Sequence, residues 1–214
     1  MLPALTIVIP CFNEEARIGQ TLRLTLDYLA ANAPKSELIV VNDGSTDATG
    51  AIARERLKSA QVPMRLLENF PNRGKGAAVR SGLLAARTPI GLFSDADLST
   101  PLEETPKLIE PITHGDVDIA FGSRALNRTL IGVHQPWRRE QAGRVFNLLV
   151  RLATGLPFWD TQCGFKAFRL EEFRPILEAA RIEGFAFDVE LLYLAHRAGL
   201  RIREIPVRWN HAEG

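Results

Sequence analysis

The sequence predicts an α/β fold built on a single doubly wound, mainly parallel sheet with helices on both faces. Three observations predict it. Short apolar runs rich in Val, Ile and Leu recur along the first half of the chain, helical patterns separate them, and each of the first four runs ends in a polar cluster. Continuous rather than alternating hydrophobicity marks strands buried on both faces. Strands of that kind alternating with helices form an open sheet that binds ligands beyond the carboxyl ends of its strands.

In chain order, the strands are "LTIVIP" (5–10), "ELIVVND" (37–43), "MRLLEN" (64–69), "IGLFSDAD" (90–97) and "DIAFGS" (118–123). The helical stretches are "EARIGQTLRLTLDYLAA" (15–31), "STDATGAIARERLKSA" (45–60), "GKGAAVRSGLLAAR" (74–87) and "PLEETPKLIEPI" (101–112). Asn13 and Glu14 follow the first strand, Asn42 and Asp43 the second, Asn69 to Lys75 the third, and Asp95 with Asp97 the fourth. A parallel sheet carries all four clusters to one edge, which is a candidate site.

Composition bounds the class. The 214 residues, 46% of them apolar, suffice for one core, and the whole chain, 1–214, is expected to form one domain. No apolar run approaches the ~20 residues needed to span a bilayer, and "MLPALTIVIP" is too short and uncharged for a signal peptide. The expected setting is therefore soluble and intracellular. Cys11 and Cys163 lack metal-type spacing and read as reduced structural thiols. Residues 1–119 hold 12 Lys and Arg against 15 Asp and Glu, while residues 120–214 hold 14 against 10, which places an anionic partner with the back half. Nucleic acid is not expected, because net charge is +1 and the basic residues are confined to one segment.

Each cluster has a plain structural reading beside a chemical one. In "VNDGSTD" (41–47), Ser45 or Thr46 is expected to cap the following helix, and Asp43 is either a turn residue or a ligand. "NRGKGAAVRSG" (72–82) places two glycines and Lys75 at a helix start, where free N–H groups and a cation suit an anion. It matches neither GxxxxGK[ST] nor GxGxxG, which counts against a P-loop NTPase and an ordinary dinucleotide-binding domain. Asp95 and Asp97, one residue apart, repel each other unless a cation or protons offset them, and a hard divalent metal takes oxygen ligands. The competing reading is an acidic helix start capped by Ser99 or Thr100.

"IVIPCFNEE", "VVNDGSTD", "NRGKGAAVRSGL" and "DADLS", in this order and spacing, resemble the family 2 glycosyltransferases. "DTQCGFKAF" (160–168) and "GFAFDVELLYLA" (184–195) are similar to the polyprenyl-phosphate branch, most of all to its dolichyl-phosphate β-glucosyltransferases. The resemblance covers nearly the whole chain. It implies a nucleotide-sugar-binding fold with residues 1–123 holding the donor and 124–214 the acceptor. It further implies a Mg2+ or Mn2+ ion on Asp95 and Asp97, a nucleotide pocket lined by Pro10, Phe12, Glu14, Asp43, Lys75 and Ala96, and an acceptor phosphate near Arg124, Arg139 and Arg144. His211 is a possible third metal ligand on the same grounds. The implied reaction is inverting transfer of a hexose, glucose from UDP-glucose foremost, to dolichyl or undecaprenyl phosphate at the cytoplasmic face of a membrane. Other readings are a different donor (GDP-mannose or a UDP-N-acetylhexosamine), a polysaccharide hydroxyl acceptor, or a non-catalytic sugar-nucleotide-binding protein.

Some of this stands on the residues alone. Residues 124–151 contain six arginines and one acid, Glu140. Guanidinium groups pair with phosphate, and a cationic stretch is drawn to an anionic surface. "PWRREQAGRVFNLLVRLATGLPFW" (136–159) reads as a helix mixing arginines with Trp137, Val145, Phe146, Leu148, Leu149 and Leu152, either interfacial or packed on a core. Asp160 and Asp188 are candidates for a base or a sugar-orienting acid, and alternatively structural caps. Asp188 and Glu190 fall on different sides of a helix and should not act as a pair.

Overall fold

The computed structural model describes residues 1–133 and 137–211, with the side chains at 137–140, 142 and 144 outside that description. A seven-stranded sheet runs in the order β3-β2-β1-β4-β7-β5-β8. Its first four sequence strands are β1 (Leu5–Cys11), β2 (Glu37–Asp43), β3 (Met64–Asn69) and β4 (Ile90–Ser94), and β5 is Ile119–Ser123. All five lie where the apolar runs predict them. β1, β2, β4 and β5 are buried along their whole length, as strands covered on both faces must be. β1 pairs parallel with both β2 and β4, and β2 with β3, so the carboxyl ends of β1 to β4 share one edge.

Two strands of this sheet escaped the sequence reading. β7 (Phe165–Arg169) inserts antiparallel between β4 and β5, and β8 (Ile202–Pro206) adds parallel to β5 at the edge. β7 brings the "TQCGF" turn back to the end of β4, so the two halves of the sequence share one sheet. A short parallel pair, β6 (Ile131–Val133) with β9 (Trp209–Asn210), lies apart from it.

Helices α1 (Ile18–Asn32), α2 (Thr49–Lys58), α3 (Lys75–Ala85) and α4 (Thr105–Thr113) occupy the predicted intervals, α4 after a one-turn 3-10 segment at Leu102–Glu104. α1 buries Ile18, Leu22, Leu26 and Leu29, one stripe of a 3.6-residue period, in the layer that also holds α4's Leu108, Ile109 and Ile112. The opposite layer is formed by α3, α6 (Leu170–Ala179) and α7 (Phe187–Arg197) against Val8, Val41, Phe93 and Phe121. α3 sits unusually close to the sheet, because a Cβ on Gly82 would stand 2.3 Å from Val8 Cγ1. That approach holds the N-terminus of α3, with Lys75, over the strand ends.

The long helix α5 (Trp137–Thr154) is different. Of its described large apolar side chains only Val150 is buried. Val145, Phe146, Leu148, Leu149 and Leu152 are exposed, Leu152 at 74%. The apolar stripe is therefore not packed on the core. No helix among the described residues is long and apolar enough to cross a membrane.

Candidate active site

The loop after β1 and the loop after β2 are laced together. Asn13 N–H donates to Ser45 Oγ (3.0 Å), Glu14 N–H to Thr49 Oγ1 (2.7 Å) and Glu15 N–H to Asp47 Oδ2 (3.1 Å), while Glu15 Oε2 accepts from Ala48 N–H. Asn13 takes a left-handed conformation (φ 55°), which Asn tolerates better than most residues. Ser45 and Thr46 are thus not helix caps. α2 begins later, at Thr49, and Asp47 Oδ1 accepts the N–H of that residue, leaving Ser45 and Thr46 to bind Asn13.

Asp43, at the end of β2, is 2% exposed. Its carboxylate accepts from Gly74 N–H (2.6 Å), Arg73 N–H and Asn69 Nδ2 (2.8 Å), so it shapes the loop between β3 and α3. The anion site expected at the start of α3 is occupied by the protein's own oxygens. Asp43 takes the N–H groups of Arg73 and Gly74, and the Glu183 carbonyl takes those of Gly76 and Ala77. The glycines serve this closeness. Gly74 has φ 102°, and a Cβ there would lie 2.5 Å from the Glu183 carbonyl oxygen.

Lys75 reaches across the strand ends to Asp95, Nζ to Oδ1 2.6 Å. Apart from this ammonium, Asp95 Oδ1 is a buried oxygen without a hydrogen-bond partner among the described residues. Burial alone would lower the Lys75 pKa, but Asp95, Asp188 and Asp97 together raise it. Asp95 is seated on Gly164: its N–H donates to the Gly164 carbonyl, and a Cβ on Gly164 would fall 2.0 Å from Asp95 Oδ2. Ala96 carries no free carbonyl, since Thr21 Oγ1 donates to it at 2.6 Å. Asp97 Oδ1 accepts from Ser99 N–H (2.9 Å) across Leu98, whose φ is 48°. Neither Ser99 nor Thr100 makes a side-chain cap on the 3-10 turn that follows.

The carboxylates do converge. The Glu14 pKa is raised first by burial; Arg17 opposes this, and Asp97, Asp95 and Asp47 add to it. Pro10 and Phe12 stand at the same edge, Phe12 46% exposed. Asp95 and Asp97 alone supply four oxygens, one of them buried without a hydrogen bond, which is the donor chemistry a hard cation takes. His211 does not complete a larger set. Among the described residues no three His, Cys, Asp or Glu side chains gather at metal-holding distance, and the His211 ring stacks instead on Trp209.

Two ion pairs lie behind this edge. Asp160, 2% exposed, accepts from Arg124 through its backbone N–H, Nε (2.7 Å) and Nη2 (2.7 Å), the fork geometry of a strong pair. Burial would raise the Asp160 pKa, but Arg124 holds it below the ordinary carboxylate value. Glu204 of β8 clamps the same loop, accepting from Ser123 Oγ, Trp159 N–H and Asp160 N–H. The Arg124 guanidinium lies over the Trp209 ring. Asp188 is not a cap either: it pairs with Lys166, Nζ to Oδ1 2.6 Å, and Lys166 is fully buried over Phe93 and Phe121 while donating to the Cys163 carbonyl. Burial raises the Asp188 pKa although Lys166 and Lys75 oppose it. Glu190, as its helical spacing requires, faces elsewhere and accepts from Arg181 and Ile182 N–H.

Arg139 and Arg144 lie on α5, but their side chains fall outside the described residues, as do His134 and the side chain of Trp137. Both cysteines are buried and free, and burial pushes each thiol up to about 12. The sequence reading missed Glu204 and Lys166. The lone lysine inside "FKAF" and the adjacent Arg203 and Glu204 inside "IREIP" were the available signals for them.

The chain belongs to glycosyl transferase family 2, whose model matches residues 6–176, and its mixed sheet with a strand-end site is the nucleotide-sugar-binding fold of that family. The protein is a glycosyltransferase. It is similar to a dolichyl-phosphate beta-glucosyltransferase of Drosophila melanogaster, 38% identical over 98% of this chain and 68% of that one. It is also similar to the human protein of the same name, 34% identical over 98% and 68%. Among solved structures, glucosyl-3-phosphoglycerate synthase from Mycobacterium tuberculosis, in complex with Mn2+, UDP and glucosyl-3-phosphoglycerate, superposes with a TM-score of 0.69 at 22% identity, over 99% of this chain and 72% of that one. At that identity the likeness shows the fold. The same enzyme has been crystallised with Mg2+ and UDP.

Proposed function

We propose that the chain moves glucose from UDP-glucose to a polyprenyl phosphate, dolichyl or undecaprenyl, with inversion at the sugar carbon. The observation that carries this reading is likeness over 98% of the chain to enzymes named for that reaction, at 38% identity in the fly. Structures of the same fold holding UDP with Mn2+ or Mg2+ support a metal-dependent donor site. In this reading residues 1–123 hold the donor and 124–214 the acceptor. Asp95 and Asp97 hold the divalent ion, Pro10, Phe12 and Glu14 border the nucleotide, and Asp43 acts through the loop it shapes. When bound, the ion supplies positive charge to the departing diphosphate.

The rest follows from the protein's own groups. A phosphate monoester has its second pKa near ~6, so the attacking oxygen is already ionised at neutral pH and no strong base is required. That oxygen forms the new bond to the anomeric carbon as the bond to UDP breaks, and UDP leaves. Asp160 and Asp188, both buried and ion-paired, are therefore positioning residues: Asp160 aims Arg124, and Asp188 biases Lys75. Arg124 and Arg139 draw the lipid phosphate, with Arg144 as a further candidate for that role.

The deciding assay is transfer of labelled sugar from UDP-glucose, GDP-mannose or UDP-N-acetylglucosamine to dolichyl and undecaprenyl phosphate, with Mg2+ or EDTA. An EDTA-sensitive lipid product from UDP-glucose is expected, with Arg139→Ala mainly raising the KM for lipid phosphate. Donor hydrolysis without lipid product would instead point to a hydroxyl acceptor.

α5 lets the protein meet its lipid acceptor at a membrane surface, on the cytoplasmic face. Exposed Leu148, Leu149 and Leu152 stand among arginines, and the Arg151 guanidinium lies 3.8 Å from the centre of the exposed Trp159 ring. In flotation with vesicles containing phosphatidylserine, Leu149→Ser/Leu152→Ser is expected to lose most binding, and high salt to weaken it. Equal flotation of variant and wild type would remove α5 from this role.

A further inference from the structure

The ammonium that meets Asp95 occupies a place a metal ion must share. Lys75 Nζ is 2.6 Å from Asp95 Oδ1, and the Gly164 backbone behind Asp95 leaves its carboxylate no retreat, since even a Cβ would fall 2.0 Å from Oδ2. A dication bound to the same carboxylate would face that ammonium at a few ångströms, where like charges in a partly buried site repel strongly. Lys75 has another acid within electrostatic reach. Asp188 is buried, its Oδ1 is paired with Lys166, itself held on the Cys163 carbonyl, and its negative charge acts on Lys75. The arrangement is an alternating row, Lys166, Asp188, Lys75, Asp95.

We propose that Lys75 is a resident counter-ion which a divalent cation must displace from Asp95, so that cation and nucleoside diphosphate load together. Without a diphosphate, displacement leaves an ammonium and a dication facing each other. With one, the phosphate charge offsets both, and the freed ammonium lies between Asp188 and the ligand. Donor and cation then favour each other's binding by the same factor, as linkage requires. Asp95 thus stays neutralised when no donor is bound, and the metal site fills when there is a substrate to use it. The inference rests on the assignment of the metal to Asp95 and Asp97.

The test is Mn2+ binding by the full chain, read from the electron paramagnetic resonance of free Mn2+, with and without UDP, for wild type, Lys75→Gln and Lys75→Arg. Lys75 is on the rim of the site, its side chain 24% exposed, and circular dichroism checks that each variant is folded. Without UDP, Lys75→Gln is expected to bind Mn2+ about tenfold more tightly, as removal of a nearby like charge demands. Lys75→Arg should behave as wild type, and the factor by which UDP tightens Mn2+ should shrink by about tenfold in Lys75→Gln alone. Mn2+ binding by Lys75→Gln that is no tighter than wild type without UDP overturns the proposal while leaving the metal assignment standing. If wild type takes up no Mn2+ even with UDP, the metal assignment itself fails and this inference with it.

Discussion

Asp97→Ala is expected to abolish sugar transfer, a loss of about a thousandfold or more in kcat, with the fold intact. The size follows from charge. The departing diphosphate depends on cations for several kcal/mol of stabilisation, and each 1.36 kcal/mol is about tenfold in rate. Removing one of the two carboxylates proposed to hold the metal forfeits most of that. Stability should barely change, because among the described residues the Asp97 carboxylate accepts only from Ser99 N–H, a contact worth about 1 kcal/mol. Loss of repulsion among Asp97, Asp95 and Glu14 offsets part of even this. Circular dichroism melts alongside the transfer assay give both readings. EDTA-sensitive turnover at the wild-type rate in Asp97→Ala would remove the aspartate pair from the metal site. A separate check needs no metal: the Glu14 pKa, raised by burial and further by Asp97 and Asp95, should fall in Asp97→Ala when followed by carboxyl NMR.

The first half of the chain was legible because its signals are local. A strand buried on both faces is a continuous apolar run, and parallel pairing obliges the ends of β1 to β4 to meet, so Glu14, Asp43, Lys75 and Asp95 could be placed on one edge without any knowledge of contacts. What those side chains do there was not legible. The sequence left Asp43 as a turn residue or a ligand and Asp160 as a base or a cap, whereas one is consumed by the Arg73 and Gly74 N–H groups and the other by Arg124. Such pairings join residues about thirty positions apart through loop geometry, which periodicity does not encode. β7 was missed for a related reason. "FKAFR" is short and carries lysine and arginine, and only the pairing of Lys166 with an aspartate on α7 makes that lysine acceptable inside a sheet. α5 could be read either way from its pattern, and exposure of Leu148, Leu149 and Leu152 decides against core packing.

Lys166→Met should be the most destabilising single change at this site, costing about 3–5 kcal/mol, because it strands the Asp188 carboxylate in a buried setting. Lys166 is 0% and Asp188 4% exposed, and the ammonium also closes the turn through the Cys163 carbonyl. Domain stabilities are about 5–15 kcal/mol, so the variant should be marginal. The double variant Lys166→Met/Asp188→Leu removes both charges and is expected to recover most of the loss, since a buried pair replaced by apolar groups is often neutral. The sign of the pH dependence tests the cause. A carboxyl whose folded pKa is raised binds more protons folded than unfolded, so the penalty in Lys166→Met grows as pH rises from the ordinary carboxylate range through the raised folded value, and shrinks in acid. Urea titrations at acid and neutral pH measure both terms. A loss in Lys166→Met that does not change between the two, or that persists undiminished in the double variant, would mean that Lys166 stabilises through packing and its carbonyl bond rather than through Asp188.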